Sequence, residues 1–270
     1  MNPSLKPVVL KLGGRALEAP GATRELAQEL AAFALLQPVV VVHGGGAELT
    51  RWSERLGIAS QFHDGLRVTD TQTVEVATAV LAGLANKRLV AAFRAATVDA
   101  VGLSAADGVA TIVPHANSFK LGEVGAVDGV DAGFLNRLLA DHRVPVLASI
   151  GAYEGRLLNV NADDLAAGVA AALQASLLVL LSDTPGLRLQ AQLVERVDVD
   201  SIGTLLEHPE VTGGMRPKLV AAAAAVRGGA SRAVIAAWDG PGTLSGLHAG
   251  EPGGTFVEKA TTLAMGGARD

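Results

Sequence analysis

The stretch VVLKLGG, residues 8–14, places Lys11 near the end of an apolar run and follows it closely with two glycines. The β-branched, apolar start predicts a buried strand over residues 8–12. Glycines after such a strand leave the backbone open to close approach by another molecule. The stretch therefore predicts a strand that delivers a charged amine to a glycine turn, and this arrangement calls for a functional reason.

Short apolar runs alternate with longer helical patterns along the chain. Further strands are predicted at residues 39–42, 100–103, 144–149, 177–181 and 233–236. Helices are predicted at residues 23–36, 47–56, 71–94, 131–141, 163–174 and 217–227. Apolar strands separated by helices predict an α/β fold with a mainly parallel sheet that is covered on both faces. The glycine-rich residues 108–131 break this pattern and predict hairpins beside the main sheet.

The composition excludes several classes of function. The 270 residues include no cysteine, which rules out disulfides, thiolate metal sites and cysteine nucleophiles. The net charge of −5 argues against non-specific binding of nucleic acid, which needs a basic face. The first residues lack the pattern of a signal peptide, and the apolar run at residues 177–181 is too short to span a bilayer. We therefore expect a cytoplasmic protein with neither a nucleic acid nor a membrane as its partner.

A second glycine turn, HGGG at residues 43–46, lies between a predicted strand and a predicted helix. Three glycines let backbone N–H groups approach a ligand, and the helix N-terminus beyond them favours an anion. The turn matches neither the P-loop nor the G-x-G-x-x-G dinucleotide fingerprint. Taken alone, it could equally be a tight connection between a strand and a helix.

The motif GLRVTD, residues 65–70, precedes the longest predicted helix. Thr69 or Asp70 is placed to cap that helix. Arg67 could clamp a carboxylate with two parallel hydrogen bonds, because its guanidinium presents a planar fork of donors. Without further context, a solvated surface arginine is the more ordinary explanation.

The motif NVNAD, residues 159–163, joins a short strand to a helix. Asn159 and Asn161 project to the same side of an extended segment, and an amide such as that of Asn159 both donates and accepts hydrogen bonds. Asn161 and Asp163 could instead only cap the helix, although capping and ligand binding are compatible.

Two further motifs complete the set. In TGGMRPK, residues 212–218, Pro217 suits the first turn of a helix and places Lys218 there, where a lysine is unfavourable unless an anion is present. LSDTPG, residues 181–186, could cradle a nucleotide or simply turn the chain. All these motifs lie near strand ends or helix starts, where open α/β sheets bind ligands.

The motifs together supply two lysines, an arginine and glycine turns, without an obvious nucleophile or metal cage. This set predicts phosphoryl transfer, because that reaction needs positioning and charge neutralisation.

Seven motifs in chain order resemble the amino acid kinase family and, within it, the acetylglutamate kinases: KLGG, HGGG, GLRVTD, LAGLANK, NVNAD, LSDTPG and TGGMRPK. The resemblance spans residues 8–229, with a weaker echo at Gly254-Thr255. It implies a single domain, residues 1–270, with a three-layer αβα sandwich around a mainly parallel sheet of about eight strands. Residues 1–155 would form the half that binds the acyl amino acid, and residues 156–270 the half that binds ATP.

The implied reaction is the ATP-dependent phosphorylation of the side-chain carboxylate of N-acetyl-L-glutamate, the second step of arginine biosynthesis. The family is usually homodimeric and uses Mg²⁺ that is held mainly by phosphates and water, so no metal ligand is predicted in the protein. Arginine-inhibited members carry an extra N-terminal helix. The few residues before the first strand therefore predict a homodimer that arginine does not inhibit.

The resemblance also implies a role for each matching residue. Lys11 would bridge the transferring phosphoryl group, Lys218 would stabilise charge on the leaving-group side, and Asp163 would orient both lysines. The residues implied for the acyl amino acid are Gly44, Gly45, Gly46, Arg67, Asn159 and Asn161. The residues implied for ATP are Gly13, Gly14, Asp183, Thr184, Pro185, Gly186, Leu187, Arg188, Glu210, Val211 and Thr212.

Two features qualify this assignment. A carboxylate nucleophile is already ionised at neutral pH and needs no general base, so we expect His43 to be a structural neighbour of the glycine turn. The segment LRLQAQLVERV after Gly186 lacks the aspartate-rich hairpin that is common in relatives, which leaves the adenine and ribose contacts open.

Three other functions fit parts of the pattern. Sister kinases of lysine or ornithine biosynthesis phosphorylate an aminoadipyl or glutamyl group on a small acidic carrier protein, but they tend to read SRLTD and NTDGD where this chain reads GLRVTD and NVNAD. A non-catalytic sensor of an amino acid and a nucleotide would not need both lysines and Asp163. A nicotinamide oxidoreductase would need the dinucleotide fingerprint that this sequence lacks.

Overall fold

The computed structural model describes residues 5–13, 21–63 and 65–260. The strands are β1 (Val8–Leu12), β2 (Val39–His43), β3 (Phe62–His63), β4 (Leu66–Arg67), β5 (Ala100–Ser104), β6 (Ala110–Pro114), β7 (Val124–Val130), β8 (Val144–Ala148), β9 (Ile150–Tyr153), β10 (Arg156–Val160), β11 (Leu177–Ser182), β12 (Arg188–Leu189), β13 (Gln192–Leu193), β14 (Arg196–Asp198), β15 (Ala233–Ala237) and β16 (Gly254–Glu258). The α-helices are α1 (Ala22–Ala34), α2 (Gly46–Arg55), α3 (Thr71–Ala77), α4 (Asn86–Ala95), α5 (Ser118–Leu121), α6 (Ala132–Ala140), α7 (Ala162–Ala172), α8 (Ile202–Leu205), α9 (Met215–Gly228) and α10 (Thr243–Ala249).

Eight strands form the central sheet in the order β14-β16-β15-β11-β1-β2-β8-β5. The strands from β15 to β5 are parallel, whereas β16 runs antiparallel to β15 and carries β14 parallel to itself. Strands β1, β2 and β8 are buried along their whole length, as expected for a sheet covered on both faces. The prediction of a mainly parallel sheet of about eight strands is confirmed.

Alternate residues of the central strands enter two separate cores. Val9 and Val40 pack with α6, α7 and α9 on one face, whereas Val8 and Val39 pack with α1, α4 and α10 on the other. These layers make the α/β sandwich. Because side chains alternate along a strand, Lys11 lies on the same face as Val9, toward α7 and α9.

A second sheet stands beside the first, in the order β6-β7-β10-β9. Strands β6 and β7 are antiparallel, so the hairpin predicted for residues 108–131 is confirmed. Strand β10 leads directly into α7, and therefore this small sheet fixes where α7 begins.

The helix predicted at residues 71–94 is wound differently in its middle. Helices α3 and α4 flank a π-helical segment, Thr78–Ala85, and Asp70 caps α3 by accepting the N–H of Thr73 at 2.7 Å. The whole stretch Thr71–Ala95 is long and apolar enough to cross a membrane by length and composition, with a mean hydropathy of 1.4. That is weak evidence, because helices in a protein core pass the same test, and here the stretch packs against α1, α2 and β5.

Candidate active site

Lys11 and Asp163 meet at the carboxyl end of the central parallel strands. The Nζ atom of Lys11 lies 2.7 Å from Oδ1 of Asp163, which belongs to the first turn of α7. Both side chains are only 8% exposed. A buried charged group is tolerated when an opposite charge pairs with it. The Asp163 carboxylate is therefore the group that allows Lys11 to lie in a buried strand.

Gly13 provides the space that the Lys11 side chain occupies. A Cβ atom on Gly13 would lie 2.0 Å from Nζ of Lys11 and 3.1 Å from the carbonyl oxygen of Leu181. Any side chain at this position would displace the amine. Space, rather than an unusual backbone conformation, therefore requires glycine here.

Lys218 completes a charge cluster of Lys11, Asp163 and Lys218. Its Nζ atom lies 3.2 Å from Oδ2 of Asp163. Helices α7 and α9 approach closely through small residues, since a Cβ atom on Gly228 would lie 2.5 Å from that of Ala171. The lysine at the N-terminus of α9 thus has an anion that offsets the unfavourable helix dipole. One carboxylate faces two ammonium groups, so the charge cluster carries a net positive charge.

The surroundings of the charge cluster shift the pKa of Asp163 and the pKa of Lys11. Burial raises the pKa of the Asp163 carboxyl, but the charges of Lys11 and Lys218 together outweigh burial and hold this pKa below its ordinary value. Burial lowers the pKa of Lys11, and this effect is opposed by Asp163 and reinforced by Lys218. Asp163 is therefore an ionised counter-ion at neutral pH and not a proton acceptor.

A cavity of about 230 Å³, the central cavity, opens beside the charge cluster. The described residues that line it are Lys11, Gly13, Gly44, Gly45, Gly46, Leu49, Phe62, Gly65, Leu66, Arg67, Leu81, Val124, Ser149, Asn159, Val160, Asn161, Ala162 and Asp163. The structure thus brings two members of the charge cluster together with all six residues predicted for the acyl amino acid.

Uncharged groups hold Arg67 in this cavity. Its Nη1 donates to Oγ of Ser60 at 2.6 Å, and its Nη2 donates to Oγ1 of Thr50 at 2.7 Å and to the carbonyl oxygen of Gly46 at 3.1 Å. The guanidinium carbon lies 4.7 Å from the centre of the Phe62 ring. Arg67 is only 8% exposed, and no carboxylate among the described residues pairs with it. A solvated surface arginine is therefore excluded, and an anionic ligand would supply the missing counter-ion.

The two asparagines of the NVNAD motif have different partners. Asn159 donates from Nδ2 to Oγ1 of the fully buried Thr69 at 3.2 Å. Asn161 is the N-cap of α7, and its Oδ1 accepts the N–H groups of Asp163 at 2.8 Å and Asp164 at 3.3 Å. Asn161 therefore caps the helix and lines the cavity at the same time.

Side chains are excluded from part of the glycine turn by close neighbours. A Cβ atom on Gly45, whose φ is +153°, would lie 2.8 Å from Cδ2 of Leu81. One on Gly44 would lie 3.2 Å from Cβ of Ala162. The first backbone bond of α2 runs from the N–H of Leu49 to the carbonyl of Gly45, so the N–H groups before Leu49 have no partner within the helix. Such groups suit an anion.

Thr255 fastens the turn that follows LSDTPG. The N–H of Leu187 donates to Oγ1 of Thr255 at 2.8 Å, and this hydroxyl donates to the carbonyl of Val194 at 2.7 Å. A Cβ atom on Gly186 would lie 2.4 Å from the same oxygen. The weak resemblance at Gly254-Thr255 therefore has a structural reason. Thr255, in β16, holds this turn in place through its hydroxyl group.

A short hairpin follows this turn. Strands β12 and β13 pair across Gln190 and Ala191, both at positive φ, as in the tight turns that hairpins favour. The N–H of Gln190 donates to Oε2 of Glu210 at 2.7 Å, which joins the two segments predicted to contact ATP.

The residues predicted for ATP offer different groups to a ligand. Leu187 and Val211 are each only 1% exposed, so they present backbone atoms rather than side chains. The exposed members are Asp183, Thr184, Arg188, Glu210 and Thr212. Gly14 lies outside the described residues, and of the rest only Gly13 is among the described residues that line the central cavity.

Thr50, Ser60 and Phe62 surround Arg67 without any recognisable signal in the sequence. Thr50 lies within α2, and Ser60 lies in the loop that follows this helix. These residues reach the same guanidinium only because three separate segments of the chain come together in the fold.

A sequence model of the amino acid kinase family matches this chain over residues 6–237. The chain belongs to the amino acid kinase family. It is 42% identical over 243 residues to the acetylglutamate kinase of Methanopyrus kandleri, covering 86% of this chain and 95% of that protein. It is 39% identical over 260 residues to the acetylglutamate kinase of Rubrobacter xylanophilus, covering 96% of this chain and 100% of that protein.

Solved structures show that this family fold is shared at low sequence identity. The carbamate kinase of Giardia lamblia bound to AMP-PNP superposes with a TM-score of 0.72 and 15% identity, covering 96% of this chain and 100% of that one. At this identity the likeness concerns the fold alone. The amino acid kinase fold expected from the sequence motifs is thereby confirmed.

Proposed function

We propose that this chain is an acetylglutamate kinase, which transfers the γ-phosphoryl group of ATP to the side-chain carboxylate of N-acetyl-L-glutamate in the second step of arginine biosynthesis. The observation that carries the proposal is the buried charge cluster beside a small cavity that also holds Arg67, a cation without a carboxylate partner among the described residues. Relatives of that name at 39–42% identity over most of the chain support it.

The reaction needs charge stabilisation rather than proton transfer. An oxygen of the substrate carboxylate attacks the γ-phosphorus, the bond from the γ-phosphorus to the β–γ bridging oxygen breaks, and ADP leaves with that electron pair. The carboxylate is ionised at neutral pH, so no base is required. Lys11 would bridge the transferring group and Lys218 would neutralise the leaving-group side. Asp163 would hold both amines in place.

The other polar groups of the central cavity would bind the part of the substrate that does not react. Arg67 would clamp the α-carboxylate, and Asn159 would bind the acetamido region. Gly44, Gly45 and Gly46 would offer N–H groups to the phosphoryl oxygens and the substrate. These interactions are made already in the ground state and would position the side-chain carboxylate for attack.

ATP would lie against the exposed residues of 183–188 and 210–212. Among the described residues, no three acidic or histidine side chains gather to hold a metal ion, and Asp163 is already engaged by two lysines. Mg²⁺ would therefore come with the nucleotide, held mainly by phosphate oxygens and water, and would offset phosphate charge. We propose that residues 1–155 bind the acyl amino acid and residues 156–270 bind ATP.

A free substrate is favoured over one attached to a carrier protein. The cations among the described lining residues are Lys11 and Arg67, and the hairpin beside them contributes Phe62, which is 59% exposed. An acidic carrier would be recognised by basic residues around the cavity opening. We further propose that the enzyme is a cytoplasmic homodimer.

The experiment is to trap the acyl phosphate with hydroxylamine in the presence of ATP and Mg²⁺. The substrates compared are N-acetyl-L-glutamate, L-glutamate and N-acetyl-L-aspartate. Hydroxamate formed selectively from N-acetyl-L-glutamate, with an equal amount of ADP, is the expected result. Hydroxamate from none of the three would reject the proposal and direct the assay to a carrier-linked substrate.

A further inference from the structure

A buried chain of hydrogen bonds runs behind the glycine turn, on the face of the sheet opposite Lys11. His43, the last residue of β2, is 2% exposed, and Asn86, the first residue of α4, is fully buried. The Nδ2 atom of Asn86 lies 3.0 Å from Nε2 of His43, and Nδ1 of His43 lies 2.9 Å from the carbonyl oxygen of Gly44.

The partners of Asn86 fix the orientation of its amide. Its Nδ2 also donates to the carbonyl of Val146 at 2.9 Å, and carbonyl oxygens only accept. Its Oδ1 accepts from Nζ of Lys87 at 3.0 Å. A Cβ atom on Gly102 would lie 2.2 Å from this Oδ1, so β5 has a glycine where the amide needs space. The Nδ2 group is therefore the side of Asn86 that faces His43.

The tautomer of His43 follows from these partners. Because Asn86 donates to Nε2, this nitrogen carries no proton. Because the Gly44 carbonyl only accepts, Nδ1 must carry the proton and donate it. Burial, reinforced by the charge of Lys87 and opposed by the bond to Gly44, lowers the pKa of His43 to about 4, so the ring is neutral at physiological pH.

The bond to Gly44 orients one particular donor. In a trans peptide unit the C=O and the following N–H point in opposite directions, and the described residues contain no cis bond. His43 lies on the face of the sheet opposite Lys11 and holds the carbonyl of Gly44 toward itself. The N–H of Gly45 is thereby directed toward the face that carries Lys11.

We propose that His43 is a positioning residue, held by Asn86 as the Nδ1–H tautomer, which orients the N–H of Gly45 toward the phosphoryl group. The role rests on the proposed kinase function, because the oriented N–H acts on a transferring phosphoryl oxygen. The tautomer itself rests on the hydrogen bonds alone and can be tested without any substrate.

The first test is ¹⁵N NMR of the whole chain labelled at histidine, with His43 assigned from the signals that disappear in His43→Gln. We expect a protonated Nδ1, an unprotonated Nε2 and no titration between pH 5 and 8. Asn86→Ala should release the ring toward the Nε2–H form that prevails in solution. An Nε2–H tautomer in the unsubstituted protein, or a titration near the ordinary pKa of histidine, would overturn the proposal even if the variants fail to fold.

The second test separates the two ring nitrogens by kinetics. The amide of His43→Asn reaches the position of Nδ1 and keeps the donor to Gly44, whereas that of His43→Gln reaches only the position of Nε2. We expect kcat to fall about tenfold to a hundredfold in His43→Gln and much less in His43→Asn, with KM for N-acetyl-L-glutamate little changed in both. Equal losses in two folded variants would assign His43 to packing only. Absence of any kinase activity would reject the proposed function but leave the tautomer intact.

Discussion

The charge cluster and Arg67 both place buried positive charge at the central cavity, but the protein compensates them in opposite ways. Lys11 and Lys218 share an ionised partner, Asp163, whereas Arg67 is held by two hydroxyls and a carbonyl. The shared carboxylate holds both lysines in place, and the charge cluster keeps a net positive charge. Neutral partners hold the arginine in place, and no carboxylate among the described residues pairs with its charge. We infer that the charge cluster stabilises the charge that develops during phosphoryl transfer. Arg67 would contribute earlier, by binding a carboxylate of the substrate.

The largest expected effect is at Lys218. Lys218→Ala should lower kcat by about 10²–10³-fold and change KM for N-acetyl-L-glutamate little, because its charge matters mainly in the transition state. Steady-state kinetics at saturating ATP measure this. Lys259→Ala removes an exposed lysine outside the site and serves as the control. Unchanged turnover in Lys218→Ala would remove Lys218 from catalysis.

Arg67→Ala should act on binding instead. We expect KM for N-acetyl-L-glutamate to rise about 10–100-fold, the value of a charge-assisted hydrogen bond or two, with a smaller change in kcat. Arg67→Lys should recover only part of this loss, because the ammonium lacks the planar fork. Arg94→Ala, at an exposed arginine paired with Asp99, is the matched control. An unaltered KM would contradict the clamp.

Thr50 gives a smaller and more specific effect. Its Oγ1 accepts a hydrogen bond from Arg67 and donates one to the carbonyl of Gly46 at 3.0 Å. Thr50→Val keeps the shape and removes both bonds, so KM should rise about two- to tenfold. Thr50→Ser keeps the hydroxyl and should stay close to the unsubstituted enzyme. The same rise in both variants would show that packing, and not the hydroxyl, supports Arg67.

The smallest effect concerns pH. Lys11 must be protonated to assist transfer, and its pKa lies below the ordinary 10.5 because of burial. Because kcat/KM reports the pKa values of the free enzyme, kcat/KM should fall on the alkaline side below pH 10.5. Asp183 raises the pKa of Lys11, so Asp183→Asn should move this limb to lower pH. A pH profile of kcat/KM for both proteins measures the shift, and a move of this limb to higher pH would contradict the effect assigned to Asp183.

The fold was largely predictable because its strands are continuously apolar. Residues 8–12, 39–42 and 177–181 lie almost as predicted, since runs of valine and leucine leave few alternatives to a buried strand. Strand β14 was not predicted, because it is short and its residues are partly exposed. The antiparallel course of β16 depends on which neighbour it pairs with, and local sequence carries no information about that.

The site was predictable where a residue acts through its immediate surroundings. Asn161 falls into this class, because a cap before a helix is a local signal. Gly13 was expected to let a ligand approach the backbone, and the space that it leaves for the Lys11 amine was not predicted. The roles of the two lysines came from the family motifs and not from spacing. The partners of Arg67 and the bond between His43 and Asn86 join residues far apart in the chain, so only the folded arrangement reveals them.

The most direct measurement is calorimetric titration of N-acetyl-L-glutamate, without nucleotide, into the unsubstituted chain, Lys218→Ala and Arg67→Ala. If the charge cluster acts in transfer and Arg67 in binding, we predict that Lys218→Ala binds within about twofold of the unsubstituted chain, while Arg67→Ala loses about 10–100-fold in affinity. A loss in Lys218→Ala as large as that in Arg67→Ala, or undiminished binding by Arg67→Ala, would contradict this division of roles.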